Sequence, residues 1–242
     1  MTRRFVSLAA LMGALLSDRA TAQVFVVRND GLARPGSWSF DVGGAVAEPV
    51  GEFRSNVNQA WGAGGALKYY FRRLAPLGLR ADFTYLNYGN ERQRVPLSST
   101  LNRVLVDMRT TNNIAVISGG PELVLWRGPV SPYVYGFAGY SYFFTESSAS
   151  DYDDQSTFAS STNFDDGGLA TGWGGGVRIP LRLRSVNAAI DAGVRHTKNG
   201  VREYLRPGDI RDIPNGFLAI PRQSAADFRQ YQLGVSFSWR NR

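Results

Sequence analysis

Hydrophobic and polar residues alternate with a period of two along much of the chain. Near the C-terminus, every second residue from Tyr231 to Trp239 is apolar, and the residues between them are polar or glycine. The same alternation occurs at residues 38–46, 61–71, 77–85 and 186–194. Because successive side chains of a β-strand point to opposite faces, this pattern predicts strands that each have one apolar face.

Eight strands are predicted from this alternation and from apolar runs between turn signals. They span residues 36–46, 59–71, 77–88, 112–126, 132–144, 168–180, 185–196 and 227–240. The connections are alternately short, at 72–76, 127–131 and 181–184, and long, at 47–58, 89–111, 145–167 and 197–226. This arrangement is typical of outer-membrane barrels. Apolar segments at 101–108 and 216–220 leave a ten-stranded barrel open as an alternative.

A secreted, lipocalin-like barrel also has eight alternating strands. In that fold the apolar face lines an internal ligand cavity and the outer face is polar. Here the face opposite the apolar residues carries small residues with Asp, Lys and Arg at mid-strand, which suits a crowded polar lumen. We therefore predict an all-β, eight-stranded, antiparallel, up-and-down transmembrane β-barrel with short periplasmic turns and long extracellular loops.

Aromatic residues fall near both ends of the predicted strands, where a transmembrane barrel has interfacial girdles. The predicted girdle residues are Trp38, Tyr69, Phe71, Trp126, Tyr133, Phe237 and Trp239 at the short-turn end, and Trp61, Tyr85, Tyr88, Phe143 and Phe144 at the long-loop end. The predicted strand 132–144 is apolar on both faces, so the pattern leaves its orientation undecided.

Three segments carry a resemblance to a known family. They are Trp61-Gly-Ala-Gly-Gly-Ala-Leu-Lys-Tyr-Tyr, Pro132-Tyr-Val-Tyr-Gly-Phe-Ala-Gly-Tyr-Ser-Tyr and the ending Gly234-Val-Ser-Phe-Ser-Trp239. Over essentially all of the sequence after residue 22, the chain resembles the small OmpA/OmpX-type outer-membrane β-barrel domains. The resemblance implies a barrel in the outer membrane of a Gram-negative-type bacterium. It implies no particular activity, because this architecture serves many functions.

Charged residues occupy the inward-facing positions of the predicted strands. The predicted luminal charge network has four acids and four bases: Asp41, Asp82, Glu122 and Asp191, with Lys68, Arg80, Arg178 and Arg195. The interior of an eight-stranded barrel is just wide enough for side chains to fill, and charges buried there need partners. We expect a closed structural network, with a gated conduction path as the alternative.

The first 35 residues are expected to lie outside the barrel. A basic start at Arg3 and Arg4, an apolar stretch at 5–16 and the small residues Ala20 and Ala22 predict a signal peptide over residues 1–22, cleaved on export. Residues 23–35 are then a periplasmic N-terminal segment, and residues 36–242 form the outer-membrane barrel domain.

Composition narrows the candidate chemistry. The chain has 242 residues, no cysteine and one histidine, His196, which excludes disulfides and makes a histidine-based metal site improbable. In barrel enzymes that deacylate lipid A, a histidine activates a nearby serine hydroxyl. Here His196 is followed by Thr197, on the opposite face of the strand, and then by Lys198. We predict no catalytic residue, metal or cofactor, with a lipid A-modifying enzyme as a minor alternative.

The long predicted loops differ in charge. Loop 145–167 contains Glu146 and five aspartates without a basic residue, and its spacing does not match an EF-hand calcium loop. Loops 89–111 and 197–226 are basic on balance, and their arginines suit lipopolysaccharide phosphates. The predicted partners are therefore outer-membrane lipids, lipopolysaccharide and a surface ligand bound through the loops, and no nucleic acid.

The function predicted from the sequence is that of a non-enzymatic outer-membrane β-barrel protein. It has a structural or surface-interaction role through its extracellular loops. A narrow pore or small-solute channel is the alternative function, because charged residues line the predicted lumen.

Overall fold

A computed structural model describes residues 34–74, 76–96, 105–151, 157–183, 186–213 and 216–240. In chain order, its strands are β1 (Ser37–Pro49), β2 (Ala60–Tyr70), β3 (Leu77–Pro96), β4 (Leu105–Val124), β5 (Ser131–Asp151), β6 (Thr157–Arg182), β7 (Asn187–Lys198), β8 (Val201–Tyr204), β9 (Ile210–Ile213), β10 (Gly216–Ala219), β11 (Arg222–Ala225) and β12 (Phe228–Arg240). Strands β1 to β7 and β12 pair antiparallel in chain order, and β12 pairs with β1 to close one barrel. The predicted eight-stranded up-and-down barrel is confirmed.

The remaining elements lie in the long connections. A one-turn helix, α1 (Phe53–Asn56), follows β1, and β8 pairs with β11 and β9 with β10 as two small sheets outside the barrel. Among the described residues, no helix is long and apolar enough to cross a membrane. The apolar segment 216–220 thus contributes to a separate hairpin, and the ten-stranded alternative is wrong.

The barrel wall is much taller on one side than on the other. Strands β3 to β6 have 20, 20, 21 and 26 residues, whereas the other barrel strands have 11 to 13. Most of the predicted loops 89–111 and 145–167 is therefore strand. The pairing of β3 with β4 continues to Pro96 and Leu105. Sequence alternation missed these extensions because neither of their faces has a continuous apolar pattern.

The apolar faces of the strands point outward. Ile117, Leu169 and Leu233 are 64%, 67% and 63% exposed, and charged residues such as Arg80 and Arg178 are buried inside. A continuous apolar exterior is unusual for a protein in water and is typical of a barrel in a membrane. A lipocalin-like barrel, whose apolar face points inward, is therefore excluded. The predicted signal peptide, and all of the following segment except Arg34 and Pro35, lie outside the described residues.

Candidate functional site: the closed interior of the barrel

The centre of the interior is Glu122 on β4, whose side chain is fully buried. Its carboxylate accepts hydrogen bonds from the Tyr70 hydroxyl at 2.6 Å and from Arg80 Nη1 at 3.2 Å. Arg178 Nη2 donates a third, at 2.9 Å. These partners come from β2, β3 and β6, so one carboxylate connects side chains from opposite sides of the barrel wall. Hydrogen bonds of this kind with an ionised partner are the strong ones in proteins.

Further ion pairs surround Glu122 in the barrel interior. Lys68 on β2 forms an ion pair with Asp41 on β1, and Arg80 Nε donates to Asp82 at 2.7 Å. Arg178 Nε donates to Asp191 on β7 at 2.9 Å. We call this set the luminal network. It consists of the predicted residues Asp41, Lys68, Arg80, Asp82, Glu122, Arg178 and Asp191, together with Tyr70.

Three aromatic rings on β5 lie against the arginines. The guanidinium carbon of Arg178 is 3.8 Å from the centre of the Tyr133 ring, and that of Arg80 is 4.2 Å from the Tyr135 ring. Cation–π contacts of this kind are stronger when water is excluded. The Tyr133 hydroxyl also donates to Asp191 at 2.8 Å. Sequence reasoning missed this role because β5 is apolar on both faces.

Glycines on β6 make room for these rings. Gly176, Gly174 and Gly172 face the three inward rings Tyr133, Tyr135 and Phe137 in the strand register. A Cβ atom at Gly174 would lie 2.5 Å from the Tyr135 ring, and one at Gly172 would lie 2.6 Å from the Phe137 ring. On the other side, a Cβ atom at Gly172 would lie 2.0 Å from the backbone oxygen of His196 on β7. Contacts that short are not allowed, so the glycine run of β6 fits both the aromatic rings of β5 and the backbone of β7.

Arg195 on β7 differs from the other luminal bases. It donates to Ser118 Oγ at 2.8 Å and to Thr197 Oγ1 at 3.3 Å, and its guanidinium carbon lies 3.7 Å from the Phe137 ring centre. Among the described residues, no carboxylate lies within ion-pair distance of Arg195. The expected network of four acids with four bases therefore has only three bases paired with acids among the described residues, because Arg195 extends across the lumen to the hydroxyl of Ser118 on β4.

A cluster of aromatic residues closes the barrel at the long-loop end. We call Phe53, Tyr88, Phe143 and Tyr204 the aromatic cap. Phe53 of α1 has ring-centre distances of 4.9 Å to Tyr204, 6.1 Å to Phe143 and 6.2 Å to Tyr88. Phe53 and Tyr204 are buried, although both lie in connections that the sequence predicts to be external loops. Nothing in the strand alternation indicated that these connections fold back into the mouth.

A small cavity borders the luminal network. It measures about 30 Å³ and lies between β1, β2, β3 and β12, and Asp41, Arg80 and Asp82 line it. That volume accommodates about two water molecules. The interior thus holds buried charged side chains at one level and the aromatic cap at another.

Most predicted girdle residues lie on the barrel exterior. Trp38 and Tyr69 have ring centres 4.9 Å apart, and the Phe71 ring lies 5.8 Å from that of Tyr69. The other outward-facing members, all partly or largely exposed, are Trp61, Tyr85, Trp126, Phe144, Phe237 and Trp239.

Three aromatic residues expected in the girdle point into the barrel instead. Tyr88, Tyr133 and Phe143 are all buried. Tyr88 is three residues from the outward-facing Tyr85 on β3, which places it on the opposite face. Tyr133 and Phe143 lie on β5, where apolar residues on both faces make the alternation ambiguous. The Tyr133 hydroxyl needs a polar partner when buried and finds it in Asp191, whereas Phe143 joins the aromatic cap.

The remaining candidates for chemistry are not brought together. His196 faces outward with its ring 6.1 Å from that of Trp173, and Thr197 is buried on the inner face. No group of three His, Cys, Asp or Glu residues suited to a metal occurs among the described residues. Of the acidic segment 145–167, Asp153 and Asp154 lie outside the described residues.

Comparisons by sequence found no relative. No model of a known protein family matches the chain, and no curated protein matches it.

Comparisons by structure matched small outer-membrane barrels. The attachment invasion locus protein Ail of Yersinia pestis, in complex with the heparin analogue sucrose octasulfate, is 15% identical over 85% of this chain and 99% of its own, with a TM-score of 0.44. OprG of Pseudomonas aeruginosa is 15% identical over 86% of this chain and 98% of its own, with a TM-score of 0.42. Neisserial surface protein A is 15% identical over 85% of this chain and 99% of its own, with a TM-score of 0.37. Similarity at this level does not identify a function.

Proposed function

We propose that the chain is a closed, non-enzymatic barrel of the bacterial outer membrane that acts through its extracellular surface and does not conduct solutes. One observation carries this proposal. The interior is filled at two levels, by the luminal network around Glu122 and by the aromatic cap around Phe53. A solute would have to displace both, and separating buried charges from their partners is costly.

The membrane location is supported by the exterior. Apolar side chains cover the outward faces of all eight barrel strands between two levels of aromatic residues, as in a transmembrane barrel. In hydrocarbon, backbone groups must be satisfied internally, which a closed barrel achieves. We propose that the barrel lies in the outer membrane, with the short turns in the periplasm and the long connections outside the cell. Export would involve residues 1–22 as a signal peptide that is then cleaved.

The tall side of the wall is the proposed interaction surface. Beyond the apolar exterior, β3 to β6 continue as a paired sheet. A polar depression of about 230 Å³ lies on this sheet, and its lining residues are Thr111, Glu146, Ser147, Ser148, Ser161 and Thr162. Polar surfaces of this kind on a rigid scaffold are suited to ligand recognition. Several basic residues in the long connections are already paired with acids, as Arg94 is with Asp107. Lipopolysaccharide is a proposed partner of the basic residues at this end that are not paired with acids.

Conductance measurement tests the closed state. The folded chain, verified by a heat-dependent shift on SDS gels, is reconstituted into planar bilayers. We expect no stepwise conductance above that of the bilayer alone. The matched control is the double variant Glu122→Ala/Phe53→Ala, which opens both levels and is expected to conduct if it folds. Regular conductance steps from the unchanged chain would contradict the proposal and favour the channel function.

Protease cleavage of intact cells tests the orientation of the barrel in the membrane. Protease added to intact cells is expected to cleave within the long connections and to spare the short turn at residues 71–76, because only the former face the medium. Cleavage at Arg72-Arg73 in intact cells would show the opposite orientation and would overturn the assignment of the interaction surface.

A further inference from the structure

The two ends of the barrel differ in charge. At the long-loop end, acids and bases are mixed and paired, as Asp107 is with Arg94 and Asp209 with both Arg206 and Arg222. At the short-turn end, the described residues 34–36, 71–74, 76, 125–130, 182–183, 186 and 240 include six arginines and no Asp, Glu or Lys. A net charge of one sign on one rim attracts a partner of the opposite sign.

Arginine is the residue type that favours a phosphate partner. Its planar guanidinium forms two parallel hydrogen bonds to a phosphate, whereas lysine offers a single point charge. Arg72 and Arg73 are both exposed in the first short turn. Arg72 lies over Gly36, where a Cβ atom would be 2.7 Å from its Nε and would displace it.

Exposed apolar side chains alternate with these arginines. Leu74, Trp126 and Leu183 project from the three short turns and are 62%, 69% and 56% exposed. The Trp126 ring lies against Gly128, where a Cβ atom would be 2.9 Å from Nε1. Tryptophan and leucine at this level extend the apolar exterior into the headgroup region of a bilayer. A lipid partner explains why these apolar side chains adjoin the apolar exterior of the barrel. A soluble acidic protein as the partner would not explain it.

We propose that the arginines of the short-turn end, with Arg72 and Arg73 as the described exposed pair, bind the phosphate groups of anionic phospholipids in the periplasmic leaflet. We call this set the arginine rim. The inference rests on the membrane insertion and orientation in the proposed function. It adds a lipid partner, which holds the barrel at a defined depth and direction.

Competition between two lipids tests the proposal. The full folded chain in uncharged detergent is mixed with equal amounts of phosphatidylglycerol and phosphatidylcholine, and retained lipids are counted by native mass spectrometry. We expect preferential retention of phosphatidylglycerol. The double variant Arg72→Gln/Arg73→Gln is expected to lose roughly fivefold in this preference for each arginine removed. The double variant Arg72→Lys/Arg73→Lys is expected to lose less, because the charge remains.

The matched control removes the same charge from the other end. Arg54 and Arg92 are exposed at the long-loop end, and Arg54→Gln/Arg92→Gln is expected to keep the lipid preference. Equal retention of both lipids by the unchanged chain, or equal losses in the two Gln variants, would overturn the proposal. If SDS gels show that Arg72→Gln/Arg73→Gln does not fold, the lipid preference of the unchanged chain is measured at increasing salt concentration instead. Salt screens the attraction between arginine and phosphate, so it should abolish the preference. A salt-independent preference would also overturn the proposal.

Failure of the two proposals is distinguishable. Conductance with an intact lipid preference would contradict the closed state alone. A closed barrel without the preference would contradict the arginine rim alone.

Discussion

The luminal network and the aromatic cap close the barrel with different types of side chain. The luminal network is made by charged side chains on the barrel strands themselves, such as Lys68 on β2 and Glu122 on β4. The aromatic cap instead uses Phe53 and Tyr204 from connections that fold back into the mouth. The difference shows that barrel-strand residues alone complete the charged level, whereas the apolar level also needs two residues from the connections, which pack against Tyr88 on β3 and Phe143 on β5.

Substitution of Glu122 is expected to have the largest effect and tests the charged level. Glu122→Gln removes the carboxylate that Arg80 and Arg178 share, and breaking a buried ion pair costs about 3–5 kcal/mol. Urea unfolding followed by gel mobility measures the loss in the free energy of unfolding. The control is Glu48→Gln, an exposed glutamate beside Arg229 in the strand register, with an expected loss of about 0–1 kcal/mol. Similar losses in both variants would mean that the lumen is hydrated.

Truncation of Phe53 tests the apolar level and is expected to have the next largest effect. Phe53→Ala removes a buried ring from the aromatic cap, and such changes cost about 3 kcal/mol. We expect faster protease cleavage in the connection 50–59 and no conductance, since the luminal network still closes the barrel. Phe53→Leu, which keeps most of the apolar volume, is the control and should be cleaved more slowly. Conductance from Phe53→Ala alone would show that the aromatic cap is the main barrier.

Substitution of Arg195 is expected to change the free energy of unfolding least. Its comparison with Arg80 tests whether pairing with a carboxylate decides how much a luminal arginine contributes. The hydrogen-bond partners of Arg195 are the neutral hydroxyls of Ser118 and Thr197, so Arg195→Leu leaves no carboxylate unpaired and should change stability by about 1 kcal/mol or less. Arg80→Leu leaves Asp82 and Glu122 short of a partner and should cost about 3 kcal/mol. Equal losses for the two variants in urea unfolding would imply that Arg195 also pairs with an acid.

The ends of the strands were predictable where the wall has an apolar exterior and not beyond it. The predicted strands 36–46 and 227–240 agree with β1 and β12 within three residues. The predicted strand 77–88 ends eight residues before β3 does, at Pro96. Where the exterior is apolar, the outward face of each strand is apolar and the inward face is polar or small, which produces a readable alternation. Beyond it, residues 90–94 of β3 are polar on both faces, so pairing with β4 continues without that signal.

The sequence by itself determined the barrel, the outward direction of its apolar faces and the inward position of the charged residues. The strands follow from a period of two, which is a property of each strand alone. The direction follows from the small and charged residues on the face opposite the apolar one, which suit a crowded polar lumen. Only the tertiary structure decided that Glu122 joins Arg80 and Arg178, that Arg195 donates to the Ser118 hydroxyl, and that Tyr133 donates to Asp191. Such contacts depend on the register between strands and on the fold of the long connections. Both bring together residues far apart in the chain, and local periodicity carries no information about them.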